Sequence, residues 1–183
     1  MTERSLESVK TPCGCATCLE RNMAERQVHK HTILTWDECF AKMAKLIAQR
    51  SKDPNTQAGA VVVSGDNIVF GLGYNGFPRG IESNGFPWIA NGDFLETKYA
   101  YVVHAEANAI YNSNTSVRGC KIYCTLFPCN ECAKTIIQVG IKEVIFECDK
   151  HHDRKFSIAS RKLFDAAGVT YRQFHPETLE EKS

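Results

Sequence analysis

From residue 104 onward the chain alternates helical and strand periods, and this alternation constrains the fold more tightly than any other feature. Apolar spacing predicts a helix from His104 to Ser113, a strand from Lys121 to Leu126 and a helix from Cys129 to Val139. A strand at Glu143 to Phe146, a helix at Phe156 to Ala167 stopped by Gly168, and a strand at Val169 to Phe174 complete the series. Strands separated by helices pair in parallel and carry those helices on their faces. An α/β architecture with a partly parallel sheet is therefore expected.

The upstream half has a different pattern. Thr35 and Glu38 form a capping box at the start of a helix expected to reach about Arg50, with Trp36, Phe40, Met43, Ala44, Ile47 and Ala48 on one face. Two apolar runs, Ala58 to Ser64 and Ile68 to Tyr74, flank the turn residues Gly65-Asp66-Asn67 and read as a hairpin. The Gly-, Pro- and Asn-rich stretch from Asn75 to about Lys98 far exceeds the usual connection of about 4–6 residues, a length typical of functional loops. Residues 1–34 have no sustained period and are read as an N-terminal arm, 35–175 as the folded domain and 176–183 as a polar tail.

Composition narrows the function classes. A chain of 183 residues fits a single domain, and a net charge of +1 argues against gripping long nucleic acid through many phosphates. There is no apolar run of about 18 residues to span a membrane, and Met1 to Lys10 is too polar for a signal peptide. A cytoplasmic location is expected. In a reducing compartment, the nine cysteines are read as buried, metal-bound or catalytic thiols rather than disulfides.

The chemistry concentrates in His104-Ala105-Glu106 and Pro128-Cys129-Asn130-Glu131-Cys132, each at an expected helix start. Cysteines three apart lie on one helix face, and the positive helix ends favour their thiolates. Cys-x-x-Cys alone also suits a redox pair or half of a structural zinc site. The added His-x-Glu supplies a third ligand, His104, and a carboxylate, Glu106, that is free to carry protons. Three ligands with an open fourth position characterise catalytic zinc, and this pattern is the one expected of zinc base deaminases. A closed structural site needs a fourth ligand. Cys120 and Cys124 are the nearest candidates, and both read as small buried hydrophobes.

Several longer segments carry a family resemblance. Arg50-Ser51-Lys52-Asp53-Pro54-Asn55, Gly73-Tyr74-Asn75-Gly76, Tyr99 to Glu106, Leu126 to Lys134 and Gly140 to Phe146 are similar to the deoxycytidylate (dCMP) deaminases of the cytidine deaminase-like superfamily. The resemblance implies a three-layer α/β/α fold around a five-stranded mixed sheet. It also implies hydrolysis of dCMP to dUMP and ammonia, which supplies dUMP for thymidylate synthesis, in a homo-oligomer that is often a hexamer. Activation by dCTP and inhibition by dTTP with Mg2+ follow from the same resemblance. It implies a sugar-hydroxyl contact for Asn75 and a base contact for the Ala105 backbone, and Arg50 is the candidate for the substrate phosphate. Each has a plainer reading: Arg50 can serve a helix C-terminus and Asn75 a turn. The loop with Gly73, Tyr74, Gly76, Phe77, Pro78 and Arg79 resembles the regulatory nucleotide site.

In the arm, Cys13, Cys15 and Cys18, with His29 or His31 beyond them, have spacing suited to a second Zn2+, although a tail with incidental thiols reads equally from the residues. His151-His152 reads as part of a solvated loop. The residues leave two alternatives open: a superfamily deaminase acting on tRNA adenosine, a free base or a riboflavin precursor, or a non-catalytic module stabilised by zinc.

Overall fold

A computed structural model describes residues 33–81 and 85–175. The described residues from Leu34 onward belong to one compact unit. The expectations for the arm, including Cys13, Cys15 and Cys18, and for the tail fall outside the described residues.

In chain order the elements are α1 (Trp36–Ala48), β1 (Gly59–Val63), β2 (Val69–Tyr74), α2 (Ala105–Tyr111), β3 (Lys121–Leu126), α3 (Asn130–Val139), β4 (Glu143–Cys148), α4 (Lys155–Ala167) and β5 (Thr170–Gln173). The five strands lie in the order β2-β1-β3-β4-β5. The hairpin pair β1 and β2 is antiparallel, as is β1 with β3, whereas β3 with β4 and β4 with β5 are parallel. The sheet is therefore mixed, and its parallel half is the part built from alternating helices and strands.

Strand alternation divides the apolar side chains into two cores. Ala60 and Val62, Ile122 and Cys124, and Val144 and Phe146 face one side, where Ala109 of α2, Ile136 of α3 and Phe164 of α4 cover them. Val61 and Val63, Tyr123 and Ile145 face the other side, under Phe40 and Ala44 of α1. This is a three-layer α/β/α arrangement. It also explains the unbroken apolar run in β1, which is buried on both faces.

The first helix opens as expected. Thr35 Oγ1 accepts from the Glu38 amide at 3.2 Å, and Glu38 Oε2 accepts from the Thr35 amide at 2.7 Å. The helix ends two residues before Arg50, at Ala48, and turns out through Gln49. The long stretch after Asn75 contains two short 3-10 turns, Phe94–Glu96 and Lys98–Ala100. It returns to its starting point through paired backbone bonds between Gly76 and Val103. Phe77 packs on Trp88 with ring centroids 4.4 Å apart, and Phe86 packs on Tyr101 at 5.0 Å, so the segment carries an aromatic cluster of its own.

Helix α2 lies unusually close to β2. A methyl group at Gly73 would stand 2.2 Å from the Ala109 nitrogen and 2.3 Å from the Ala105 oxygen, and one at Gly71 would stand 2.1 Å from the Ala109 oxygen. Asn108 and Asn112 reach past this contact and donate to the Tyr74 and Leu72 carbonyls, each at 2.8 Å. Gly73→Ala is therefore expected to push the helix off the strand and destabilise the protein by about 1–3 kcal/mol. Thermal melting of the two proteins side by side tests this, and an unchanged midpoint would contradict it. Among the described residues no helix is long and apolar enough to cross a membrane.

Candidate active site

The two signature motifs meet where α2 and α3 begin. His104 is the N-cap of α2 and Cys129 the N-cap of α3, each with extended backbone and no capping bond from its side chain. Both side chains are thus left for other partners. The turn before Cys129 is held from several sides. The Phe127 amide continues the sheet by donating to the Cys148 carbonyl at 2.9 Å, and buried Ser160 of α4 donates to the Pro128 carbonyl at 2.8 Å. The Arg161 guanidinium lies 4.3 Å over the Phe127 ring.

These elements bring His104, Cys129 and Cys132 together, with candidate ligand atoms all within 4.8 Å of one another. His104 Nδ1 lies 3.3 Å from Cys129 Sγ and 3.4 Å from Cys132 Sγ. A tetrahedral zinc bound through nitrogen and sulfur requires an N-to-S edge of roughly 3.5 Å, so the donor set fits such an ion in both chemistry and size. Among the described residues no fourth His, Cys, Asp or Glu joins the group. Cys120 and Cys124 are instead buried in the sheet core. The cluster can hold one metal ion and leave a coordination position open.

Electrostatics prepare the donors. A hydrogen bond from Cys132, ahead of the opposing effect of burial, lowers the Cys129 thiol to about 4. Its hydrogen bond to Cys129 raises His104 to about 9 against the opposing effect of burial. Cys132, bonded to Cys129 and buried, is held well above the usual thiol value. The metal-free cluster therefore carries protons that a bound cation must displace.

Glu106 occupies the first turn of α2 and is buried. Its Oε2 lies 3.4 Å from Cys132 Sγ, yet its carboxylate is outside the three-donor group. Burial raises its pKa, and the neighbouring His104 charge opposes that rise. This is a carboxyl group beside the metal donors and poised to exchange a proton.

The other residues singled out by sequence lie in separate places. Arg50, Tyr74, Gly76 and Arg79 line a depression of roughly 220 Å³ together with Lys52 and Trp88, and none of the metal-donor residues lines it. Gly73 is not in that lining and is accounted for by its contact with α2. Ala105 is the first residue of α2, buried, where a helix has backbone N–H groups without intrahelical partners. Asn75 is buried and its amide is heavily used: Oδ1 accepts from the Ala58 amide at 2.8 Å, while Nδ2 donates to the Thr56 carbonyl at 2.9 Å and to Asp53 Oδ2 at 3.3 Å. His151 and His152 are exposed in the turn before α4.

Sequence reasoning passed over Lys98, whose buried ammonium pairs with Asp53 Oδ2. A single lysine in a Gly- and Pro-rich loop carries no period that could mark it as buried. The only available hint was Asp53 itself, an acid beside Pro54 within a short polar motif.

Residues 34–148 match the family model for the cytidine and deoxycytidylate deaminase zinc-binding region. The chain is 56% identical over 146 residues to the deoxycytidylate deaminase of Homo sapiens, covering 79% of this chain and 82% of the relative. It belongs to the deoxycytidylate deaminase family. The Mus musculus deoxycytidylate deaminase is 54% identical over the same length, again covering 79% of this chain and 82% of that protein. Among solved structures, the dCMP deaminase of cyanophage S-TIM5 in complex with dCMP and dUMP superposes with a TM-score of 0.62 at 27% identity. That match covers 79% of this chain and 100% of the phage protein. Family membership places the three-layer fold and the His-Cys-Cys cluster within the cytidine deaminase-like superfamily.

Proposed function

We propose that this chain hydrolyses deoxycytidylate to deoxyuridylate and ammonia at a zinc centre held by His104, Cys129 and Cys132. The observation that carries the reading is the buried Glu106 carboxylate beside a three-donor cluster that has no fourth protein ligand among the described residues. A closed structural zinc site would need that fourth ligand, which weighs against a purely stabilising role.

When bound, zinc supplies Lewis acidity that makes water nucleophilic near neutral pH. Glu106 takes a proton from the attacking water and gives it to the ring nitrogen N3 as oxygen adds to C4. The carboxylate so regenerated takes the remaining proton from the oxygen now on C4 and delivers it to the amino group, the C4–N bond breaks, and ammonia leaves as the C4 carbonyl forms. The Ala105 backbone is assigned to the base, and the Asn75 amide to a sugar hydroxyl. Arg50 is assigned to the substrate phosphate.

The depression that contains Arg50 supports a regulatory reading as well. Tyr74, Gly76 and Arg79 line it, with Lys52 and Trp88 adding charge and an aromatic face suited to a nucleoside triphosphate. dCTP as activator and dTTP with Mg2+ as inhibitor are the proposed ligands. Assembly into a homo-oligomer, with a hexamer as the leading form, is supported by exposed apolar side chains such as Leu46 and Tyr111. A cytoplasmic location and a second Zn2+ at Cys13, Cys15 and Cys18 rest on composition and spacing.

Ammonia release from dCMP, CMP, deoxycytidine and adenine nucleotides tests the proposal. dCMP should be turned over fastest, dCTP should lower its half-saturating concentration, and dTTP with Mg2+ should raise it. Equal turnover of unphosphorylated deoxycytidine would sink the substrate assignment. Preferential release from an adenine nucleotide would favour another branch of the superfamily.

A further inference from the structure

Among the described residues only three charged side chains are buried: Glu106, Asp53 and Lys98. Glu106 belongs to the chemistry above, and the other two pair with each other. Buried ion pairs add little stability over apolar packing, so their value lies in the geometry they impose. Here the imposed geometry converges on Asn75. Asp53 Oδ1 accepts from the Asn55 amide at 2.8 Å and the Thr56 amide at 3.2 Å, which turns the chain so that the Thr56 carbonyl meets Asn75 Nδ2. Asp53 Oδ2 takes the second Nδ2 hydrogen and the Lys98 ammonium. Ser51 Oγ donates to the Asn75 carbonyl at 2.8 Å.

Counting donors and acceptors then fixes what Asn75 can do. Both Nδ2 hydrogens are donated and one acceptor position of Oδ1 is filled by Ala58, so the only unused capacity is a second acceptor position on Oδ1. A flipped amide would set Nδ2 against the Ala58 N–H and Oδ1 against the Thr56 carbonyl and the Asp53 carboxylate, which is repulsive on every side. The Lys98 ammonium donates to the same Asp53 Oδ2 that accepts from Asn75 Nδ2, and so holds that oxygen as an acceptor facing the amide. Without that ammonium the Asp53 side chain loses the partner that fixes Oδ2 toward Asn75, and the bias on the amide weakens.

We infer that the Asp53–Lys98 pair is a positioning device that locks the Asn75 amide as an acceptor only, so that the sugar is selected through a hydroxyl group that donates. The inference rests on the deaminase reading and on the assignment of Asn75 to the sugar. Lys98 is the residue that ties the device to the metal site. Its backbone carbonyl accepts from the Val102 amide at 2.9 Å, and Val103, next to His104, bridges to Gly76, next to Asn75.

The test compares kcat/KM for dCMP with that for its 2′,3′-dideoxy and 3′-fluoro counterparts, the latter able to accept but not to donate. The wild-type protein should favour dCMP over both by about tenfold or more. Asp53→Asn, Lys98→Met and the double variant should shrink that ratio toward one, mainly by raising KM for dCMP, with zinc content unchanged. Lys98→Arg, which keeps a cation beside Asp53, should retain the preference. The double variant buries no unpaired charge, so it carries the comparison if either single variant fails to fold. A uniform fall in kcat/KM for all three substrates, with the ratio intact, would reduce the pair to a structural role and overturn the inference. Wild-type protein indifferent to the 3′ group would overturn it without any variant. Wild-type protein that releases no ammonia from dCMP would instead defeat the deaminase reading, and this inference with it.

Discussion

Glu106→Gln is expected to lower kcat for dCMP by roughly 10² to 10⁴ while the zinc content stays that of the wild-type protein. Glutamine keeps the length and a polar end, so the buried space beside Cys132 stays filled. What it loses is the ability to accept a proton and give it back. A carboxyl group shuttles protons best when its pKa lies near the working pH, and burial moves Glu106 upward in that direction. Because one side chain serves several transfers in the proposed reaction, the loss is expected near the upper end of that range. Ammonia release and metal analysis on the same preparation check the prediction. Near-normal turnover with full zinc would mean that another group moves the protons. Loss of zinc would mean that Glu106 is itself a ligand.

Cys129→Ser should behave differently, with zinc and activity falling together. Cys129 is the donor already held as a thiolate in the metal-free cluster, its thiol lowered to about 4 by the hydrogen bond from Cys132. A serine hydroxyl does not ionise near neutral pH and is a poor zinc ligand. Zinc affinity is therefore expected to drop by on the order of 10²-fold or more. Since the cluster must shed protons to bind the cation, and His104 is raised to about 9, zinc should also be released from the wild-type protein as pH falls. Metal content after dialysis at graded pH measures both effects. A serine variant that holds zinc as tightly as wild type would remove Cys129 from the ligand set.

Much of this molecule is legible in the order of its residues. The capping box at Thr35, the hairpin turn at Gly65-Asp66-Asn67 and the helix stop at Gly168 are local devices, and local chemistry is enough to see them. The metal donors are visible because ligand spacing follows from helix geometry. Features made by residues distant in sequence are not visible in this way. Lys98 meets Asp53 across 45 positions, and Asn108 meets the Tyr74 carbonyl across 34. The same limit applies to the Gly-rich stretch Gly71-Leu72-Gly73, where the requirement for glycine comes from a helix that begins more than thirty residues later.

That helix has a consequence for how copies of the chain can associate. A strand at the end of a sheet usually offers its outward carbonyls to any passing strand, the route to uncontrolled stacking of sheets. On β2 the Leu72 and Tyr74 carbonyls are already occupied by Asn112 and Asn108. The sheet is thereby blocked at that end by its own side chains. The opposite end, β5, is only four residues long and carries the exposed Arg172 and Gln173. Growth of the sheet by strand addition is thus hindered at both ends, by occupied carbonyls at β2 and by the shortness of β5.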